Sequence, residues 1–146
     1  MKALVTGGAG FIGSNLSKQL LTDGFSVRIL DDLRSGYKVN IPEGAEFIEG
    51  SVVNPDVVKN AAAGVDYVFH LAASVGNKRS IDNPVYDATV NVIGMRNVLE
   101  AVRTVGIKKL VYSSSAGIFG ELKTIPIKED HPQEPDSPYG VSKLAA

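Results

Sequence analysis

Cysteine is absent from this chain. That excludes disulfides and thiolate metal sites, and it leaves the compartment open. Histidine is scarce: His70 and His131 are the only two, and two dispersed imidazoles without a thiol do not make a metal site. Charge of either sign is not in excess, with 15 Lys and Arg against 16 Asp and Glu and a net charge of −1. Such a balance gives no electrostatic reason to expect nucleic acid or an anionic membrane as a partner. No apolar run approaches the roughly 18 residues that would cross a bilayer. Near the N-terminus, Ala3-Leu4-Val5 gives way at once to Thr6 and glycines, unlike the apolar stretch of a secretory signal. The expectation is a soluble, cytoplasmic protein with no membrane partner.

What is present is core-forming material. The 146 residues are 44% hydrophobic and 21% charged, the composition of one globular domain. Lys2 to Thr6 reads as a short buried strand. A helix carrying Ile12, Leu16 and Leu20 follows and stops at Asp23-Gly24. Further strands are expected at Phe25–Leu30, Ala45–Glu49, Val65–Leu71 and Lys108–Ser113. Asn54 is placed to cap a helix with Pro55 at its first position. A long helix is expected over Pro84–Val105, with Ala88, Val92, Met95, Leu99 and Val102 on one apolar face. Strands alternating with helices predict parallel βαβ units, a doubly wound sheet whose strand C-termini form the ligand-binding edge. Residues 116–138 form a long polar connection holding four prolines, and Tyr139–Ala146 opens another helix. The chain ends inside that helix, which carries Val141 and Leu144. Residues 1–146 are therefore expected to be the N-terminal part of a dinucleotide-binding domain, truncated after about five strands, that turns over no substrate alone.

The dinucleotide reading comes from the first strand–helix turn. Gly7, Gly10 and Gly13 lie between a strand and a helix, whose N-terminal N–H groups and dipole suit a pyrophosphate. Gly7 permits the tight turn, Gly10 lets backbone approach phosphate, and Gly13 lets the helix pack close to the sheet. The spacing is Gly-x-x-Gly-x-x-Gly rather than Gly-x-Gly-x-x-Gly, so context matters more than the glycines alone. That context includes Asp31, 18 residues after Gly13, near the ≈ 20 of the dinucleotide fingerprint. Its carboxylate can accept from ribose hydroxyls and repel a 2′-phosphate, favouring NAD over NADP, although Arg34 stands close enough to answer that phosphate.

Tyr139 and Lys143 are one helical turn apart on one face. A free tyrosine, with pKa ≈ 10, is a poor base at neutral pH. A neighbouring ammonium favours phenolate, so the pair can serve as a general base or acid. The Ser113-Ser114-Ser115 cluster at a strand end puts a hydroxyl, Ser115, on the same ligand-binding edge. His70 reads as a structural partner, and Lys78 and Arg79 as a solvated loop.

These stretches together resemble one family. TGGAGFIGS at 6–14, LDDLRSG at 30–36, FHLAA at 69–73, NVIGMRNVLEA at 91–101, LVYSSSAGIFG at 110–120 and SPYGVSK at 137–143 resemble the extended short-chain dehydrogenase/reductases, the NAD-dependent epimerase/dehydratase family with a Rossmann fold. The resemblance is nearest to the UDP-glucose 4-epimerases. It implies NAD as cofactor, with Gly7, Gly10, Phe11, Ile12 and Gly13 at the pyrophosphate and Asp31 at the adenosine ribose. It also implies cofactor contacts from Asp32, Ser35, Gly36, Ser51, Val52, Leu71, Ala72 and Ala73. Asn91 would steady the long helix beside the active site. Ser115, Tyr139 and Lys143 would be the catalytic set, with Tyr139 and Lys143 also touching the cofactor. A nucleotide-sugar substrate, a homodimer when full length and no metal are implied as well.

Several positions depart from the family pattern. Gly50-Ser51-Val52 lacks the usual aspartate that meets the adenine amine, a weakening of ~1 kcal/mol. Val75 stands where some 4-epimerases have lysine, Phe119 where tyrosine is common and Met95 where threonine is common. Ala116-Gly117 follow Ser115 where 4,6-dehydratases carry Asp-Glu, so the acid and base that elimination needs are missing. The expected function is a NAD-dependent nucleotide-sugar 4-epimerase of the UDP-glucose/UDP-galactose type, with Tyr139 as base. A dehydratase, decarboxylase or reductase of the same family stays open, and so does a non-catalytic dinucleotide sensor or interaction module.

Overall fold

Ala3, Leu4 and Val5 are all almost fully buried, so the first strand, β1 (Lys2–Thr6), is covered on both faces. That burial belongs to the interior of a parallel sheet. In the computed structural model, which describes residues 1–146, five strands form one parallel sheet in the order β3-β2-β1-β4-β5. The others are β2 (Ser26–Asp31), β3 (Glu46–Glu49), β4 (Tyr67–His70) and β5 (Lys109–Tyr112). Val5 is aligned with Ile29 of β2 on one side and Phe69 of β4 on the other. The strand order reverses direction at β1 and β4. In doubly wound folds this is the point where ligands bind beyond the strand C-termini.

The chain divides into two compact units. One comprises Met1–Ala72 and Gly94–Ser113 and contains the sheet. Its helices are α1 (Phe11–Thr22), α2 (Pro55–Ala62) and, after two short helices of the other unit, α5 (Gly94–Val105). On one face Ala3, Val5, Val27 and Ile29 pack with Leu20 of α1. The buried Val58 and Ala61 of α2 and the buried Val98 and Ala101 of α5 belong to helices that pack together against the sheet. Asn54 caps α2, its side chain accepting the Asp56 and Val57 N–H groups at 3.0 and 3.3 Å, with Pro55 in the first turn. Gly24 follows α1 with φ 82°.

The second unit comprises Ala73–Ile93 and Ser114–Ala146. It holds α3 (Asn77–Asp82), α4 (Pro84–Ala88), a π turn (Thr89–Ile93), a 3-10 turn (Ala116–Ile118) and α6 (Pro138–Ala145). Helix α6 packs on α3, α4 and both turns. Ser137 caps it by accepting the Gly140 N–H at 3.1 Å, and Pro138 starts it. Within the 116–138 connection, buried His131 accepts the Lys123 N–H at its Nε2 (3.0 Å) and donates from Nδ1 to the Pro132 carbonyl (2.8 Å). This is the pattern of a neutral Nδ1–H imidazole organising its own loop.

The expected long helix over 84–105 takes a different form. A π turn occupies Thr89–Ile93, and the extra residue in its turn rotates the face that follows. The face expected to be buried is largely exposed: Ala88 and Leu99 lie open and Val92 and Val102 are half-buried, leaving only Met95 inside. The residues actually buried are Asp87, Val90, Asn91, Gly94, Met95, Asn97, Val98 and Ala101. Hydrogen bonds make that polar share of the buried face tolerable. Asn97 donates to the carbonyls of Val52 and Val53 at 3.0 and 2.9 Å. Strand ends also differ from expectation: Phe25 and Ala45 lie outside β2 and β3, Val65 and Leu71 outside β4, and Lys108 and Ser113 outside β5.

Candidate functional site

The glycine turn sits at the exit of β1. Gly7 adopts φ 71°, and a Cβ there would lie 2.7 Å from the Ala72 nitrogen. Both the backbone conformation and the neighbouring strand exit therefore require glycine. Gly10 precedes α1 without any side-chain cap, leaving the first-turn N–H groups to face a ligand. A Cβ on Gly13 would strike the Gly7 oxygen and come within 2.7 Å of the Gly8 Cα. What it permits is thus the close packing of α1 on the backbone of the turn that follows β1. Phe11 and Ile12 are 85% and 63% exposed at this helix start.

Asp31, at the end of β2, is buried. Its Oδ2 accepts the Ala9 N–H and its Oδ1 the Leu33 N–H, both at 2.9 Å. The carboxylate therefore ties the glycine turn to the β2 exit, and each oxygen keeps a lone pair for a further donor. Asp32 is exposed and accepts the Arg34 N–H at 3.1 Å. Ser35 is exposed, while Gly36 is buried and so near Ala9 that a Cβ would lie 2.8 Å from its carbonyl carbon.

At the β4 exit, the Thr6 hydroxyl accepts the Ala72 N–H at 3.2 Å and meets His70 Nδ1 at 2.7 Å. The His70 ring is stacked on Tyr112. Leu71 and Ala72 are half-buried beside Gly7. The Ser51 hydroxyl accepts the Val53 N–H at 3.4 Å, and buried Val52 packs under Gly94.

The second unit assembles the serine, tyrosine and lysine. Ser115 caps the 3-10 turn, its Oγ accepting the Gly117 N–H at 3.1 Å. Gly117 lies between the two candidate groups: a Cβ on it would be 3.4 Å from Ser115 Oγ and 3.6 Å from Tyr139 Cδ1. Gly140 closes the contact from the α6 side, where a Cβ would overlap the Gly117 oxygen. Lys143, one turn beyond Tyr139, is 5% exposed. Burial pulls its ammonium down from the usual lysine range to about 8, against the opposing pull of the Asp87 carboxylate.

Lys143 is also backed by a polar network. The Ser142 hydroxyl donates to Asp87 Oδ2 and accepts from Asn91 Nδ2 at 2.9 Å. Asn91 Oδ1 accepts the Ser74 N–H at 2.8 Å, and its amide donates to the Ser74 carbonyl at 3.2 Å. Asp87, Asn91 and Ser142 are all buried.

Comparison with known proteins gives this geometry a lineage. A family profile described as NAD dependent epimerase/dehydratase family matches residues 3–146. The chain belongs to that family. The UDP-glucose 4-epimerase of Mycolicibacterium smegmatis is 43% identical over 152 residues, covering 99% of this chain and 49% of that protein. The crystal structure of the Thermus thermophilus UDP-glucose 4-epimerase complex with NAD matches at 41% identity and a TM-score of 0.94, over 99% of this chain and 48% of that one. The Thermotoga maritima UDP-glucose 4-epimerase with UDP-glucose matches at 38% identity and a TM-score of 0.95, again over 99% and 48%. The chain spans about half the length of the relatives it matches.

For this epimerase/dehydratase chain, most of the expected residues gather in two groups, while Ser51 and Val52 follow β3, with Val52 against Gly94. Gly7, Gly10, Phe11, Ile12, Gly13, Asp31, Gly36, Leu71 and Ala72 surround the β1 exit, flanked by the exposed Asp32 and Ser35. Ser115, Tyr139, Lys143 and Asn91 cluster around α6, and Ala73 is half-buried in the same unit. Asn91 bridges Ser74 and Ser142. Sequence reasoning missed Asp87, Ser142 and Gly140. A carboxylate four residues before Asn91 carries the helical spacing of a pair, which is the signal that could have exposed Asp87. No helix is long and apolar enough to cross a membrane.

Proposed function

We propose that this chain is the NAD-binding and catalytic part of a nucleotide-sugar 4-epimerase of the UDP-glucose/UDP-galactose type. The observation that carries the proposal is the convergence of Ser115 and Tyr139 on Gly117, with Lys143 one turn along α6. The names of the relatives, and the NAD and UDP-glucose bound to two of them, support the same reading.

The residues at the β1 exit fit NAD. Gly7 and Gly10 leave backbone open to a pyrophosphate, and the uncapped start of α1 offers N–H donors and positive dipole. Asp31 is positioned to accept from ribose hydroxyls and to reject a 2′-phosphate. Bound NAD supplies a hydride acceptor and, in the return step, the donor. Tyr139 Oη takes the proton from the C4 hydroxyl of the sugar and later returns it. Ser115 Oγ holds the same sugar oxygen, and the Lys143 ammonium favours the phenolate. The side chain after Ser115 is Ala116, followed by Gly117. Neither can act as the extra acid or base of an elimination, which favours epimerisation over dehydration. Homodimerisation is part of the proposal, supported by the exposed apolar surface of Val85, Ile93 and Val141 in the second unit.

The test uses the full-length protein. Acid should release NAD, and incubation with UDP-glucose or UDP-N-acetylglucosamine should give the C4 epimer without net redox. Tyr139→Phe should abolish conversion. NADP consumed in proportion to product would establish a reductase instead, and released dinucleotide with no turnover would establish a sensor.

A further inference from the structure

Asp87 is 1% exposed and lies on α4, outside every motif that marked the site. A buried carboxylate is costly unless something answers its charge. Its Oδ2 is held by the Ser142 hydroxyl, and Oδ1 has no hydrogen-bond partner. Ser142 is the residue immediately before Lys143. The ammonium of Lys143 is itself buried in the same unit. We propose that Asp87 is a positioning residue for the tyrosine–lysine pair: its buried carboxylate fixes the register of α6 through Ser142 and is a counter-charge for the Lys143 ammonium buried in the same unit. This inference rests on the epimerase reading for its catalytic consequence, while the electrostatic claim stands on its own.

The surroundings leave few other candidates for that role. On α3 the charged groups are Lys78, Arg79 and Asp82; all three are exposed, and Lys78 pairs with Asp82 at 2.7 Å. On α4 the titratable groups are Tyr86 and Asp87, and on α6 the other is Tyr139. The π turn and the 3-10 turn contribute none. The Asp87 charge is the one that opposes the loss of the Lys143 proton. A lysine that shed its proton would cease to favour the Tyr139 phenolate, so the carboxylate acts on the reaction through its neighbour.

The experiment compares wild type, Asp87→Asn and Ser142→Ala in full-length protein carrying [ε-13C]lysine, with Lys143 assigned by Lys143→Arg. Asp87→Asn keeps an acceptor for Ser142 and removes the charge. Its Lys143 midpoint is expected to fall by about one pH unit or more, and the alkaline limb of kcat/KM should move down with it while KM changes little. Ser142→Ala keeps the charge, so its Lys143 midpoint should stay near the wild-type value while kcat drops. If Asp87→Asn does not fold, Asp87→Ser retains a hydroxyl for Ser142 and gives the same comparison. An unmoved Lys143 midpoint in a folded charge-removing variant overturns the proposal. A midpoint that moves in a protein converting no nucleotide sugar keeps Asp87 in its role and overturns the epimerase reading instead.

Discussion

Asp31 reaches back from the end of β2 to Ala9 in the glycine turn, accepting its N–H at 2.9 Å while also holding Leu33. The residue expected to meet the ribose is thus also a brace for the glycine turn. Asp31→Ala should destabilise the protein without any dinucleotide present, by about 2–3 kcal/mol, because the buried Ala9 N–H and the part-buried Leu33 N–H lose a charged acceptor. Urea denaturation of dinucleotide-free protein checks this. A variant as stable as wild type would reduce Asp31 to a ligand contact alone.

Thr6 offers a similar test one strand away. Its hydroxyl serves both His70 and the Ala72 N–H. Thr6→Val preserves shape but strands the buried His70 ring and the part-buried Ala72 N–H, and should cost about 2–4 kcal/mol. Thr6→Ser keeps the hydroxyl and should cost less than half of that in the same denaturation assay.

These two residues also show what the sequence could and could not convey. Alternating strands and helices, the three glycines and the Asn54-Pro55 start were all legible, because each follows from backbone geometry within a few residues. Tyr139 and Lys143 were legible as a pair for the same reason. The buried face of 84–105 was not. Its apolar positions follow an α-helical period, but the π turn at Thr89–Ile93 breaks that period, and Asn91 and Asn97 are buried on long-range hydrogen bonds to Ser142 and Val52. Partners 51 and 45 residues away in the chain leave no local mark. The double role of Asp31 was hidden likewise, since its bond to Ala9 exists only once β1 and β2 are side by side.

Gly140 and Gly117 approach more closely than any side chain allows. Gly140→Ala should push α6 away from the Ser115 turn, costing about 1–3 kcal/mol of stability. It should also lower kcat far more than KM, because Tyr139 shifts relative to Ser115. Gly64→Ala, at a glycine whose Cβ would meet nothing within 4 Å but whose φ is 70°, supplies the comparison. It carries backbone strain alone and should leave kcat unchanged. Equal losses of kcat in the two variants would remove the close approach as a determinant of the site.

Lys143 makes stability rise with pH, the same direction as an acid-labile carboxylate but in an alkaline window. Its folded-state midpoint is lowered to about 8 by burial, with Asp87 working against the shift, whereas an unfolded lysine titrates near 10.4. Below pH 8 both states hold the proton, and the full cost of burying the ammonium is present. Between about 8 and 10.4 the unfolded chain binds more protons than the folded one, so unfolding free energy rises with pH. A difference of this size is worth on the order of 3 kcal/mol. Wild type should therefore gain stability relative to Lys143→Met as pH is raised from 7 to 10, since other groups titrating in that window are common to both proteins. Chemical denaturation of the pair at several pH values measures the gap directly. A gap that stays constant across the window would mean that Lys143 keeps an ordinary midpoint in the folded protein.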